Sequence, residues 1–95
     1  MLFRSLIAAH AKYMATSANA RMIIQGNTDE RGGREYNLAL GQRRADAVRQ
    51  MLTVLGAEGV RVESVSFGKE KPVDTATTEE AYAKNRRAEI VYNTD

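Results

Sequence analysis

The chain has 95 residues, 43% of them hydrophobic, with one proline and seven glycines, which suits one compact domain near the lower end of comfortable core size and leaves no room for a second. Lys and Arg number 14 against 12 Asp and Glu, a formal net charge of +2 that is too balanced to argue for nucleic acid by itself. The absence of cysteine removes disulfides, thiol catalysis and thiolate metal sites, and no apolar run approaches the roughly 20 residues that a membrane-spanning helix needs.

In chain order, Leu2, Phe3, Leu6, Ile7, His10, Tyr13 and Met14 recur at three- and four-residue steps, which predicts an amphipathic helix over residues 2–17. Residues 1–9 have neither the length nor the small-residue cleavage pattern of a secretory signal. Residues 21–25, with Ile23 and Ile24 at the centre, read as a strand that Gly26 and the polar Asn27, Thr28 and Asp29 carry into a turn. From Arg34 a stripe of Leu38, Gly41, Ala45, Val48, Leu52 and Leu55 predicts a long helix that Gly56 ends as a left-handed cap. Gly41 weakens that helix by about 1 kcal/mol against alanine, and so marks a close approach to another backbone.

Residues 60–67 read as a second strand with irregular alternation, closed by Gly68 and Pro72. Thr77 with Glu80 fits a capping box, predicting a short helix over residues 78–85 before a final strand at residues 88–92. The fold class expected from this order is α/β (α+β), a two-layer sandwich of helices on a sheet. Three strands are few for such helices, which suggests that an N-terminal strand is missing.

The densest polar cluster at a strand-to-helix junction is residues 27–37, and junctions of this kind turn backbone N–H groups and a positive helix end toward a ligand. The working surface is therefore placed between Thr28 and Arg44. Asn37 and Arg44 are seven residues apart and share one helix face. Asp29 and Arg44 supply one anion and one cation that could grip the two ends of an amino-acid headgroup, but on residue types alone a mutual salt bridge, or two independent surface charges, is the favoured reading.

Asn85, Arg86 and Arg87 put two cations before the last strand, either on a solvated edge or with one arginine facing the ligand. His10, the only histidine, has no partners at metal-ligand spacing and reads as a packed, hydrogen-bonded residue. Neither a phosphate loop nor a G-x-S-x-G turn is present, so the expectation is a binding domain, not an enzyme, with no cofactor and no metal. The four tyrosines are dispersed, without the interleaving of aromatic and basic residues found on RNA-binding sheets.

The run Gly26, Asn27, Thr28, Asp29, Glu30, Arg31, Gly32, followed by Glu35, Tyr36, Asn37, Leu38 and on to Ala45, closely resembles the OmpA-like peptidoglycan-binding domain, in the form carried by the peptidoglycan-associated lipoproteins. The likeness continues through His10 to Tyr13, Val65 to Pro72, and Asn85 to Glu89. It implies a βαβαβ-type mixed sheet with helices on one face, binding the diaminopimelate of the peptidoglycan stem peptide without covalent chemistry. By motif position Asp29 and Arg44 are the main anchors, with Thr28, Asn37 and Arg87 in support.

The resemblance also implies a periplasmic place at the Gram-negative outer membrane, a lipid anchor, and TolB-like and other Tol-system partners; the alternative is an OmpA-like domain of a porin or motor stator with the same wall-binding site. Such domains open on a strand, whereas residues 1–5 lead straight into the first helix, so the expectation is a single truncated domain over residues 1–95, lacking that strand and the lipobox, with a strand-exchanged dimer as one way to replace it. Gly33 stands where the family usually has Thr or Ser, which implies a weaker helix cap. A nucleic-acid role through Arg43, Arg44, Arg49, Arg86 and Arg87 is the reading from another class, and the near-neutral charge argues against it.

Overall fold

In a computed structural model, which describes residues 2–17, 19–57 and 61–93, the chain runs α1 (Leu2–Thr16), β1 (Arg21–Asn27), α2 (Arg34–Val54), β2 (Val62–Gly68), α3 (Glu79–Asn85) and β3 (Arg87–Asn93). The strands form one sheet in the order β2-β1-β3, with β2 parallel and β3 antiparallel to β1. Val60, placed by the sequence at the start of the second strand, lies outside the described residues.

The period of two in β1 turns Met22 and Ile24 to one face, where both are fully buried against Ile7, Met14 and Leu52 of α1 and α2. Across the ladder Val62 lies beside Met22, and Ile90 and Tyr92 lie beside Ile24 and Met22, so the same parity makes one core under two helices. Each large side chain sealed there contributes roughly 1.5–3 kcal/mol. The irregular alternation of β2 reflects serines on its inner parity: Val62, Ser64 and Ser66 pair in unbroken register with Met22, Ile24 and Gly26, which leaves Val65 and Phe67 on the other face, and the register slips only beyond them, where Asn27 lies opposite Gly68 and not Phe67.

The buried face of α2 is Asn37, Gly41, Ala45, Val48 and Leu52. It departs from the predicted stripe at both ends, because Asn37 and not Leu38 turns inward at the first, and Leu55 is 47% exposed at the second. The close approach inferred at Gly41 is to β1: a Cβ on Gly41 would lie 2.8 Å from the Gly26 carbonyl oxygen, and one on Gly26 only 1.8 Å from that of Gly41. The helix ends on Gly56 at φ +116°, with its N–H bonded to the Thr53 carbonyl and that of Ala57 to the Leu52 carbonyl, a Schellman arrangement that satisfies two terminal acceptors.

Arg61 performs a similar service for α1, donating to the carbonyls of Met14 (2.7 Å), Ser17 (2.7 Å) and Ala20 (3.0 Å), which places a cation at the negative end of that helix. His10 is half-buried and bonded through Nδ1 to the Tyr92 hydroxyl, tying α1 to β3. The third helix starts one residue later than the capping-box reading implied. Thr78, not Thr77, is its cap and accepts from the Ala81 N–H, which leaves Glu80 out of the box.

At the start of α2 the cap is Gly33, in extended backbone (φ −73°, ψ 158°) with no side-chain bond to the helix. An added Cβ there meets nothing within 4 Å. Gly33→Ser should therefore stabilise the domain by about 0.5–1 kcal/mol, through a cap bond and a less flexible unfolded chain, and raise the melting temperature by a few degrees. A thermal midpoint at or below that of the parent would count against this account of the cap.

Candidate functional site

Because β1 and β2 are parallel, their C-terminal ends share one end of the sheet, and there the turn after β1 leads into α2 and meets Glu79 and Tyr82 of α3 and Arg86 just beyond it. A cleft of about 400 Å³ opens there, lined by Thr28, Asp29, Asn37 and Arg44, together with Arg31, Gly32, Tyr36, Leu40 and Arg86. Four of the five residues singled out from the sequence thus meet in one place.

Asp29 is buried at the back of the turn. Its Oδ1 accepts from the Arg31 backbone N–H at 3.0 Å, closing an Asx-type turn, and from Arg31 Nε at 3.2 Å; Oδ2 accepts from Arg31 Nη2 at 2.8 Å and from Arg86 Nη1 at 3.0 Å. The Arg31 guanidinium and N–H hold this carboxyl well below the usual carboxylate range, against the opposing effect of burial and with help from Arg86, so Asp29 is an anion at any physiological pH. Glu79 completes a square of charges, bonded to Arg86 at 2.7 Å and lying 3.6 Å from Arg31, whose guanidinium also stacks 4.4 Å over the Tyr82 ring.

Arg44 stands outside that square. Its Nη1 donates to the Asn27 carbonyl at 2.9 Å, which fixes the guanidinium beside the end of β1, and its other N–H groups have no acceptor among the described residues. No salt bridge joins it to Asp29 among those residues; the two opposite charges line one cleft unbonded to each other. Asn37 is buried and donates through Nδ2 to the Arg31 carbonyl at 2.8 Å, pinning the turn to the helix, while the buried Thr28 hydroxyl donates to the Asp29 carbonyl at 3.1 Å. The buried Asn27 Oδ1 has no hydrogen-bond partner among the described residues.

Arg87 is not brought to the cleft. As the first residue of β3 it falls on the parity of Glu89 and Val91, opposite to the core-facing Ala88 and Ile90, and its guanidinium bonds Glu89, the Asn85 carbonyl and the Lys71 carbonyl instead. Arg86, one residue earlier at the end of α3, is the arginine that reaches Asp29. The pair therefore divides between both readings left open by the sequence, one arginine facing the cleft and one on the strand's outer face. Arg31 and Tyr36 lay inside the polar cluster but had no assigned part; the spacing of an aspartate two residues before Arg31 was the available signal.

The cleft lies within a stretch of sequence that matches known proteins. Residues 4–86 match the OmpA family. The chain belongs to that family. Among curated OmpA-family relatives, the chain is 47% identical over 87 residues to the peptidoglycan-associated lipoprotein of Pasteurella multocida, covering 92% of this chain and 58% of that protein. It is 48% identical over 87 residues to its namesake in Haemophilus influenzae, covering 92% and 57%. It spans about half the length of the curated relatives it matches.

The crystal structure of the peptidoglycan-associated lipoprotein from Burkholderia pseudomallei superposes with a TM-score of 0.95 at 50% identity, covering 97% of this chain and 78% of that one. The C-terminal domain of Helicobacter pylori MotB has the same fold, with a TM-score of 0.83 at 24% identity. The OmpA-like two-layer α/β fold expected from the sequence is thus the one found.

Proposed function

We propose that this OmpA-family domain binds peptidoglycan without covalent chemistry, holding the free amino-acid end of diaminopimelate in the stem peptide. Asp29 takes the ammonium and Arg44 the carboxylate, with Thr28, Asn37 and Arg86 supporting them; Arg87 acts outside the cleft. The observation that carries this reading is the pair of opposite charges, Asp29 and Arg44, set in one cleft and not neutralising each other. A zwitterion fits such a pair, and the guanidinium fork suits a carboxylate. The domain is a tether and not an enzyme, as the names of its relatives suggest.

In the whole protein we place this domain at the periplasmic face of a Gram-negative outer membrane, held by a lipid anchor and working with TolB-like and other Tol-system partners. Purified domain should co-sediment with diaminopimelate-type peptidoglycan, and retention in the supernatant across a range of wall concentrations would remove the proposal. The reading extends to self-association, since the outer edge of β3 has no partner strand among the described residues. Light scattering at high concentration should then give a dimer, and a clean monomer would refute that part alone.

A further inference from the structure

The proposed ammonium seat is already fully engaged. A carboxylate offers about four lone-pair sites, and Asp29 accepts from the Arg31 N–H, Nε and Nη2 and from Arg86 Nη1 at 2.8–3.2 Å. An arriving ammonium must take the place of one of these donors. They are not equally held. Arg86 is 30% exposed and clamped on its far side by Glu79 at 2.7 Å. The Arg31 side chain is 54% exposed and lies on the solvent side of Asp29, itself only 10% exposed.

Arg31 also has somewhere to go. Its guanidinium already lies 4.4 Å over the Tyr82 ring and 3.6 Å from Glu79, so rotation about its outer bonds exchanges Asp29 for a closer pairing with Glu79 on the same aromatic face. The backbone does not have to follow, because the Arg31 N–H stays on Asp29 Oδ1 and its carbonyl on Asn37 Nδ2 at 2.8 Å.

We propose that Arg31 is an intramolecular stand-in for the ligand's ammonium group, seated on Asp29 and displaced toward Glu79 and Tyr82 when an amino-acid terminus binds. It rests on the assignment of Asp29 to that terminus. Arg31 is then a residue that sets affinity and selectivity by competing with the ligand. A competitor seated about 90% of the time weakens the apparent affinity about tenfold. A ligand with a carboxylate but no ammonium has no need to displace it.

The test is calorimetric titration of the domain with meso-diaminopimelate and with pimelate, which has the same carbon chain and two carboxylates but no amines. Arg31→Ala should bind meso-diaminopimelate about tenfold more tightly than the parent and gain nothing for pimelate. Arg31→Lys keeps the charge but loses the fork, so an intermediate gain separates the seated contact from a general charge effect. Binding of meso-diaminopimelate that is unchanged or weaker in Arg31→Ala overturns the proposal. Asp29→Ala tells the two ideas apart: if it loses binding while Arg31→Ala gains none, only the competition falls, and if it binds undiminished, the assignment of Asp29 falls too. Circular dichroism of each variant checks that it is folded, which is expected for the Arg31 variants because that side chain is more than half exposed.

Discussion

Asp29→Ala and Arg44→Ala should each abolish co-sedimentation of the folded domain with diaminopimelate-type peptidoglycan. Removing one partner of a desolvated charge pair typically costs about 2–5 kcal/mol, roughly 30-fold to several-thousand-fold in Kd, because the ligand's opposite charge is left in the cleft without its counterpart. Asp29→Asn is the sharper variant. An amide oxygen still accepts from the Arg31 N–H and preserves the turn, so a loss of wall binding in Asp29→Asn reports the charge and not the shape. Lysine in place of Arg44 should restore binding only in part, since an ammonium cannot offer two parallel N–H groups to a carboxylate. Undiminished binding in both alanine variants would refute the assignment of anchors.

Gly26→Ala should be the most damaging single substitution outside the cleft. Its Cβ would fall 1.8 Å from the Gly41 carbonyl oxygen, 2.7 Å from the Gly41 carbonyl carbon and 3.2 Å from the Ala45 nitrogen, all backbone atoms that cannot rotate aside. Relief requires α2 to lift from β1, which opens the core at Ala45 and separates Arg44 and Asn37 from the turn at Thr28 and Asp29. Overpacking ordinarily costs about 1–3 kcal/mol, and a clash between two backbones exceeds that. A domain of this size has only about 5–15 kcal/mol in total. Urea denaturation should show loss of the cooperative transition or a midpoint displaced by several kcal/mol in free energy. Gly41→Ala should be damaging but milder, because its closest backbone contact, the Gly26 carbonyl oxygen at 2.8 Å, is a full ångström longer, and its nearest neighbour is the side-chain hydroxyl of Ser66. Equal stability of Gly26→Ala and the parent would contradict the packing described.

The elements were legible because each carries its own period. The apolar steps of residues 2–14 and of the stripe from Gly41 to Leu52 needed no partner to be read, and Gly41 disclosed a close approach before its neighbour was known. That neighbour, Gly26, passed for a strand terminator, since a sequence shows where a backbone can come close but not what arrives. Asp29 and Arg44 were legible as a possible grip, and the family likeness selected that reading from its alternatives. Arg86 and Arg87 were separable only with the start of β3 in hand, where one residue of offset decides which side chain faces the cleft. Arg61 shows the limit most plainly: its acceptors lie 41–47 residues away at the end of α1, and nothing local announces them.

The most direct test of the account is a structure of the domain with meso-diaminopimelate bound. The predicted result has one amino-acid end of the ligand in the cleft, its ammonium about 2.7–3.0 Å from an Asp29 carboxylate oxygen and its carboxylate in two hydrogen bonds to the Arg44 guanidinium. A ligand held elsewhere on the surface, or seated in the cleft without touching Asp29 and Arg44, would contradict it.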